Sequence, residues 1–214
     1  MTPLENLALA PTPAMLAQIA HLEREVPGLP TIVTPRLRLR KWTAADAEPF
    51  AAINADARVA EHLPSTLTRP QSDAVIVELQ AHIRQWGFGI WAVERLDSCA
   101  FIGFVGLNIP RWRAPFVPAV ECAWRLGFPH WGQGFAREAM QEILRFSWDQ
   151  LRLPYLLSWT VPANTRSWGL MERLGFARIG TFAHPKLPQE HALSPHLLYA
   201  LAAPPALFAG DRAG

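Results

Sequence analysis

Glu121-Cys122-Ala123-Trp124-Arg125-Leu126 leads, a few residues later, into Trp131-Gly132-Gln133-Gly134-Phe135-Ala136, and the chain then runs on to Leu151. The first six residues have the composition of a strand. The glycine pair makes a tight turn. Beyond it, Ala136, Ala139, Met140, Ile143, Leu144, Ser147, Trp148 and Leu151 step by three and four, the spacing of one helical face. A glycine turn between strand and helix leaves backbone N–H groups open at the helix N-terminus. Such groups, with the positive end of the helix dipole, attract phosphate. The turn has no third glycine at the dinucleotide-binding spacing, because Arg137 stands there, and it lacks the Gly-Lys-Ser/Thr of a P-loop. On spacing alone, a phosphate cradle and a plain structural turn are both open.

Upstream, Arg36-Leu37-Arg38-Leu39-Arg40 alternates charge and leucine as a half-buried strand does, with a solvated basic face. Thr43 and Asp46 form a capping-box-like start to a helix ending near Asn54. Residues 58–64 are expected to be irregular, with Glu61 and His62 at their centre. Thr68-Arg69-Pro70 starts a second helix, which Gly87 stops. Strands are expected over 89–94 and 100–108. Gly103 and Gly106 inside the second imply a bulge or a close backbone approach. A loop over 110–118 carries Trp112 between Arg111 and Arg113. Downstream of the long helix come a buried strand over 155–160 and a short helix capped by Asn164 and ended by Gly175. Strands over 176–182 and 196–201 follow, separated by a Pro-rich loop. Helices alternating with strands in this way give an α/β domain with a mixed sheet.

Composition narrows the function. Half of the 214 residues are hydrophobic, enough for a sizeable core, and a net charge of +2 is too small to argue for nucleic acid. Cys99 and Cys122 form no CxxC, and the seven histidines form no HxxxH pair, so no metal is expected. The N-terminus has no basic segment followed by an apolar run, and the most apolar window is far too short for a membrane span. A cytoplasmic setting and no membrane partner are the corresponding expectations. Residues 1–30 are Pro- and Ala-rich, with a short helix expected over 14–25. They form an extension that either packs on the domain or mediates association, and a homodimer is compatible with it. A domain over 31–203 and a flexible tail over 204–214 complete the chain.

Residues 122–139 resemble the acetyl-CoA motif of the GNAT N-acetyltransferases, and are most similar to the branch that includes the ribosomal-protein N-terminal acetyltransferases. That branch runs from a strand through Trp-Gly-x-Gly-aromatic-Ala to a Glu-Ala pair, here Glu138-Ala139. Asn164-Thr165-Arg166-Ser167 followed by Glu172-Arg173-Leu174-Gly175-Phe176 resembles a second family segment. The strands at 36–40 and 196–201 resemble its opening and closing ones. The likeness covers residues 31–201 and implies the GNAT fold: a mixed central sheet of about six to seven strands, splayed at the middle and flanked by helices.

The resemblance implies an acetyl-CoA-dependent N-acetyltransferase acting on a primary amine, either a protein N-terminus or a small molecule. Backbone N–H groups around Gly132, Gln133, Gly134, Ala136 and Arg137 would hold the CoA pyrophosphate. The backbone of Trp124 and Leu126 would pair with pantetheine like an added strand, although both residue types are ordinary in a core. Asn164 would bond the pantetheine arm, or serve only as a helix cap, or both. Glu121, Glu61 and His130 are the candidate bases, with Glu121 first because it begins the motif strand. The family's usual tyrosine acid is replaced by Met171, which leaves Ser167 or water to protonate the thiolate. Glu61, His62 and Trp112 are candidates for binding the acceptor. The missing tyrosine keeps a second class open: an acyl-CoA-binding regulator or scaffold without turnover.

Overall fold

The computed structural model describes residues 28–204. The helix expected over 14–25 lies outside the described residues, as do most of the extension and the tail. The chain divides into two compact units. Among the described residues the N-terminal unit holds 28–108 and 122–143, and the C-terminal unit holds 109–121 and 144–204.

The N-terminal unit begins with β1 (Ile32–Val33) and β2 (Leu37–Arg40), followed by a 3-10 turn at Ala44–Asp46. Next come α1 (Ala47–Ala55), α2 (Ala57–Ala60), α3 (Arg69–Trp86), β3 (Ile90–Arg95) and β4 (Phe101–Asn108). β5 (Glu121–Leu126) enters this unit at Cys122. A 3-10 turn at Phe128–His130 then leads into α4 (Phe135–Asp149), whose last turns belong to the other unit. β1 to β4 pair antiparallel in chain order, and β5 neighbours β4. Gly103 and Gly106 are close-approach glycines, as expected. A Cβ on Gly103 would stand 2.2 Å from the Arg125 carbonyl oxygen, and one on Gly106 2.3 Å from that of Gly89.

The core of this unit is aromatic. Trp42, Phe50, Ile76, Ile90 and Ala92 are buried together. Trp42 lies edge-on to Phe50 at 5.0 Å between centroids, within the range where aromatic pairs gain beyond their buried area. Its indole N–H donates to the Ile90 carbonyl at 2.9 Å, so its one polar atom is satisfied.

Two elements here differ from the sequence expectation. Residues 57–60 form a short helix, α2, where irregular chain is expected. Asp56 caps it, accepting the Arg58 N–H at 2.9 Å, so a single side chain replaces the periodicity that four residues cannot show. The arginines of β2 are also more than a solvated face. Arg38 and Arg40 both bond Glu94, and Arg40 holds Asp46 through two further bonds of 2.7 Å. Asp46 also accepts from the Thr43 N–H, so the expected cap doubles as an ion-pair partner.

In the C-terminal unit, β6 (Tyr155–Thr160), α5 (Thr165–Arg173), β7 (Ala177–Ala183) and β8 (Pro195–Ala202) follow the end of α4. β8 pairs antiparallel with both β6 and β7. Glu121, the first residue of β5, stands opposite Leu157 of β6 in parallel. Parallel and antiparallel pairings together make the mixed α/β class, with eight strands among the described residues where about six to seven are expected. β6 matches its expected limits, since it is a short buried apolar run with no competing pattern.

Candidate functional site

The glycine turn lies in the N-terminal unit. Gly132 and Gly134 have φ of 72° and 81°, the left-handed region that glycine enters without penalty. Both are exposed, as are Gln133 and Arg137. A Cβ on Gly132 would meet nothing within 4 Å, and one on Gly134 would meet only Arg36 Nη2, at 3.4 Å. The space over the turn is therefore open, as a bound phosphate requires. α4 starts here, with the Glu138 N–H bonded to the Gly134 carbonyl at 3.0 Å. The N–H groups of its first turn consequently have no helical acceptor.

A network absent from the sequence reading fixes this turn. Glu138 accepts from the Thr34 hydroxyl at 2.6 Å, the Arg36 backbone N–H at 2.9 Å and Arg36 Nε at 2.6 Å. Arg36 also donates from Nη1 to the Gln133 carbonyl at 2.9 Å. These donors hold the Glu138 carboxyl below its ordinary range against the opposing effect of burial. The guanidinium groups of Arg36 and Arg95 lie 4.5 Å and 5.2 Å from the Phe135 ring centroid. Each is also paired with a carboxylate, Arg36 with Glu138 and Arg95 with Asp97, so the donors left for an anion at the turn are its backbone N–H groups.

Trp124 is half-buried and Leu126 buried on β5. Leu126 offers its carbonyl to the Trp131 indole N–H at 2.7 Å, which ties the strand end to the turn. His130 lies within this segment. Its Nδ1 is buried with no hydrogen-bond partner among the described residues, and burial together with the Arg95 charge lowers its pKa. Glu61 and His62 sit in the loop after α2, 3.7 Å apart, so each is the other's charge partner when His62 is protonated. Next to them is a pocket of about 170 Å³, with Leu63, Pro64, Leu67, Asn54 and Arg125 in its lining.

The C-terminal unit carries the other candidates. Glu121 is half-buried at the start of β5. Asn164 caps α5, its Oδ1 accepting the Ser167 N–H at 3.2 Å. The cap occupies only the carbonyl side of the amide and leaves its NH2 outside that bond. Ser167 is half-buried in the first turn of the helix. Met171 is 1% exposed, packed into the core. The two tyrosines of the chain are Tyr155 and Tyr199, and burial raises both phenol pKa values. Tyr199 donates its hydroxyl to Glu172 at 3.1 Å.

Trp112 is half-buried among rings: Phe116 at 5.8 Å, Trp159 at 5.3 Å, Phe182 at 5.9 Å and His184 at 5.2 Å between centroids. His196 lies 4.9 Å from His184. Burial, reinforced by His196 and Lys186, pulls His184 down to about 4 from 6.5, and burial lowers His196 as well. A folded pKa below the unfolded one means the unfolded chain takes up protons first as pH falls. Stability from these rings is therefore intact above about pH 6.5 and is lost progressively toward about pH 4. Urea denaturation at pH 7.5 and pH 4.5 should show this loss, and His184→Gln should reduce it. An unchanged pH dependence in the variant would contradict the assignment.

Among the described residues no group of three or more His, Cys, Asp or Glu is placed to hold a metal, and no helix is long and apolar enough to cross a membrane.

Residues 36–177 match the family described as "Acetyltransferase (GNAT) domain". The chain is 29% identical over 155 residues to the "Uncharacterized N-acetyltransferase p20" of Bacillus licheniformis, a match covering 70% of this chain and 84% of that one. The ribosomal-protein-S5-alanine acetyltransferase from Vibrio fischeri has the same fold, with a TM-score of 0.65 at 20% identity over 81% of this chain and 96% of that one. Mycobacterium smegmatis RimJ in complex with CoA-disulfide also aligns, with a TM-score of 0.65 at 18% identity over 81% and 87%.

Proposed function

Since the chain belongs to the GNAT acetyltransferase family, we propose that it moves the acetyl group of acetyl-CoA to a primary amine by direct attack in a ternary complex. One observation carries the donor half: two left-handed glycines with open space above them, at the mouth of α4, inside the family-matched segment. The N–H groups of Gly132, Gln133, Gly134, Ala136 and Arg137 bind the pyrophosphate. Trp124 and Leu126 offer backbone groups to pantetheine, and the Asn164 NH2 bonds a pantetheine carbonyl. Acetyl-CoA supplies the thioester carbonyl that the amine attacks.

Glu121 accepts the amine's proton, and Ser167 donates one to the departing thiolate. A protein α-amine, with a pKa of about 7.7–8.0, needs little help; a lysine, near about 10.4, needs far more. The α-amine of a peptide N-terminus is the easier acceptor for a site with one weak base, and an α-amine beside a free carboxylate is more basic until a cation neutralises that carboxylate. The Vibrio fischeri neighbour, named for an alanine of a ribosomal protein, agrees with that class. Glu61, His62 and Trp112 border the acceptor.

The test is a thiol-release assay across amines, polyamines and N-terminal peptides. Glu121→Gln should lower turnover by about a hundredfold at pH 6.5 and less at pH 9, where the amine is already neutral. Wild-type rates at every pH would remove Glu121 from the mechanism. The second reading, a CoA-binding protein without turnover, is favoured by the buried Met171, which has no proton to donate. Silence across the whole panel, with CoA still bound, would select it.

A further inference from the structure

Arg125 differs from the arginines at the start of the N-terminal unit. Arg36, Arg38 and Arg40 each meet a carboxylate. Among the described residues Arg125 meets none, and its hydrogen bond there is from Nη1 to Asn54 Oδ1, at 2.6 Å. A guanidinium carries five N–H donors, so most of its donor capacity is unused by protein. Phe104 lies under it at 5.5 Å, a contact that offers cation–π attraction but no countercharge. Desolvation alone pulls its pKa down to about 10, which still leaves it charged at neutral pH.

The cation is placed deliberately. Asn54 is buried and fixed from the other side, its Nδ2 donating to Ser72 Oγ at 2.8 Å. Its backbone carbonyl accepts the Leu67 N–H at 3.0 Å, which ties in the loop after α2. Arg125 is therefore oriented by a residue that is itself oriented, and it lines the pocket of about 170 Å³. Val59, Leu63, Pro64 and Leu67 make the apolar part of that pocket, and Ser65 adds a hydroxyl. None of the lining residues is acidic. Arg125 is half-buried, and a cation partly shielded from water without a countercharge is costly, a cost that a ligand anion removes.

We propose that the Arg125–Asn54 pocket binds the carboxylate of the acceptor, so that the amine acetylated belongs to a small apolar amino acid. The planar fork of the guanidinium matches a carboxylate in two parallel bonds. The apolar walls take a side chain of modest size, consistent with the pocket volume. Arg125 lies between Trp124 and Leu126 on β5, the strand given the pantetheine arm above, so the inference rests on that reading for its link to turnover. Its binding chemistry is separable.

The experiment uses the full chain saturated with CoA. L-leucine and L-leucinamide are titrated by calorimetry, with L-methionine and its amide as a second pair. The acids should bind at least about tenfold tighter than the amides, the scale of a lost charge-assisted pair. Arg125→Gln should abolish that difference while leaving the Kd of CoA unchanged. Arg125→Lys, which keeps the charge but not the fork, should retain part of it and serves if the glutamine variant does not fold. Equal affinity for acid and amide in the wild type, or no binding of either, overturns the proposal. So does an Arg125→Gln protein that weakens CoA alone, because the anion would then be a donor phosphate. If the wild type fails to bind CoA at all, the donor reading fails instead, and the two failures are distinguishable.

Discussion

Gly134→Val raises the Kd for acetyl-CoA by at least about a hundredfold in a protein that still folds. The turn presents N–H groups at the start of α4, and each charge-assisted bond to a phosphate oxygen contributes about 1.5–3 kcal/mol. Losing two of them costs about 3 kcal/mol, and tenfold in Kd is about 1.4 kcal/mol. At Gly134 the backbone has φ of 81°, so a β-branched residue must either strain or pull the turn out of shape. The valine branch would also press on Arg36, whose Nη2 is already 3.4 Å from a Cβ there. Strain of about 1–3 kcal/mol is within the stability of an ordinary domain, because the residue is exposed. Gly180→Ala is the control. Its Cβ meets nothing within 4 Å, and it should leave CoA affinity unchanged. Calorimetry on the folded variants decides the matter, and a wild-type Kd in Gly134→Val would remove the turn from donor binding.

Gly103→Ala should have the largest effect on stability. The new methyl would stand 2.2 Å from the Arg125 carbonyl oxygen and 2.7 Å from the Leu126 Cα. Both are backbone atoms, so no rotamer change relieves the clash. φ of 136° adds strain for any residue with a Cβ. β4 and β5 must then separate, at a cost of about 4 kcal/mol or more, which places this change among the exceptional single substitutions. For a chain of this size the melting temperature should fall by more than about 10 °C. A fall of less than about 2 °C in a thermal melt would contradict the close approach of these strands. The same substitution displaces Arg125, so any surviving protein should also lose its preference for acids over amides.

The parts of the fold that were legible in the sequence are those with strong local signals. Thr68, Pro70 and Gly87 mark both ends of α3, and Gly87 takes the left-handed conformation the stop requires. The Asn164 cap and the glycine turn are equally local. What escaped was either too short or too distant. β1 has two residues and α2 has four, below the length at which a period can be counted. Arg36 and Glu138 are 102 residues apart, and Asn54 and Arg125 are 71 apart. No pattern within a window links such pairs, because the sheet alone brings them together. Glu138 stood in the family's Glu-Ala pair without a role. Its three donors now show it as the anchor of β2 on α4. Arg125 has no local signal of its own, and what separates it from Arg38 and Arg40 is that no carboxylate among the described residues pairs with it. The ring cluster around Trp112 escaped for the same reason, since its members come from a loop and three strands or strand ends.

On the proposed function, the turn at Gly132 to Arg137 holds the pyrophosphate of acetyl-CoA. Isothermal titration of acetyl-CoA into the purified full chain tests it most directly. Saturable binding of one molecule per chain, weakening as salt rises because charges meet at the site, is the predicted result. No saturable binding, or binding that Gly134→Val leaves intact, would contradict it.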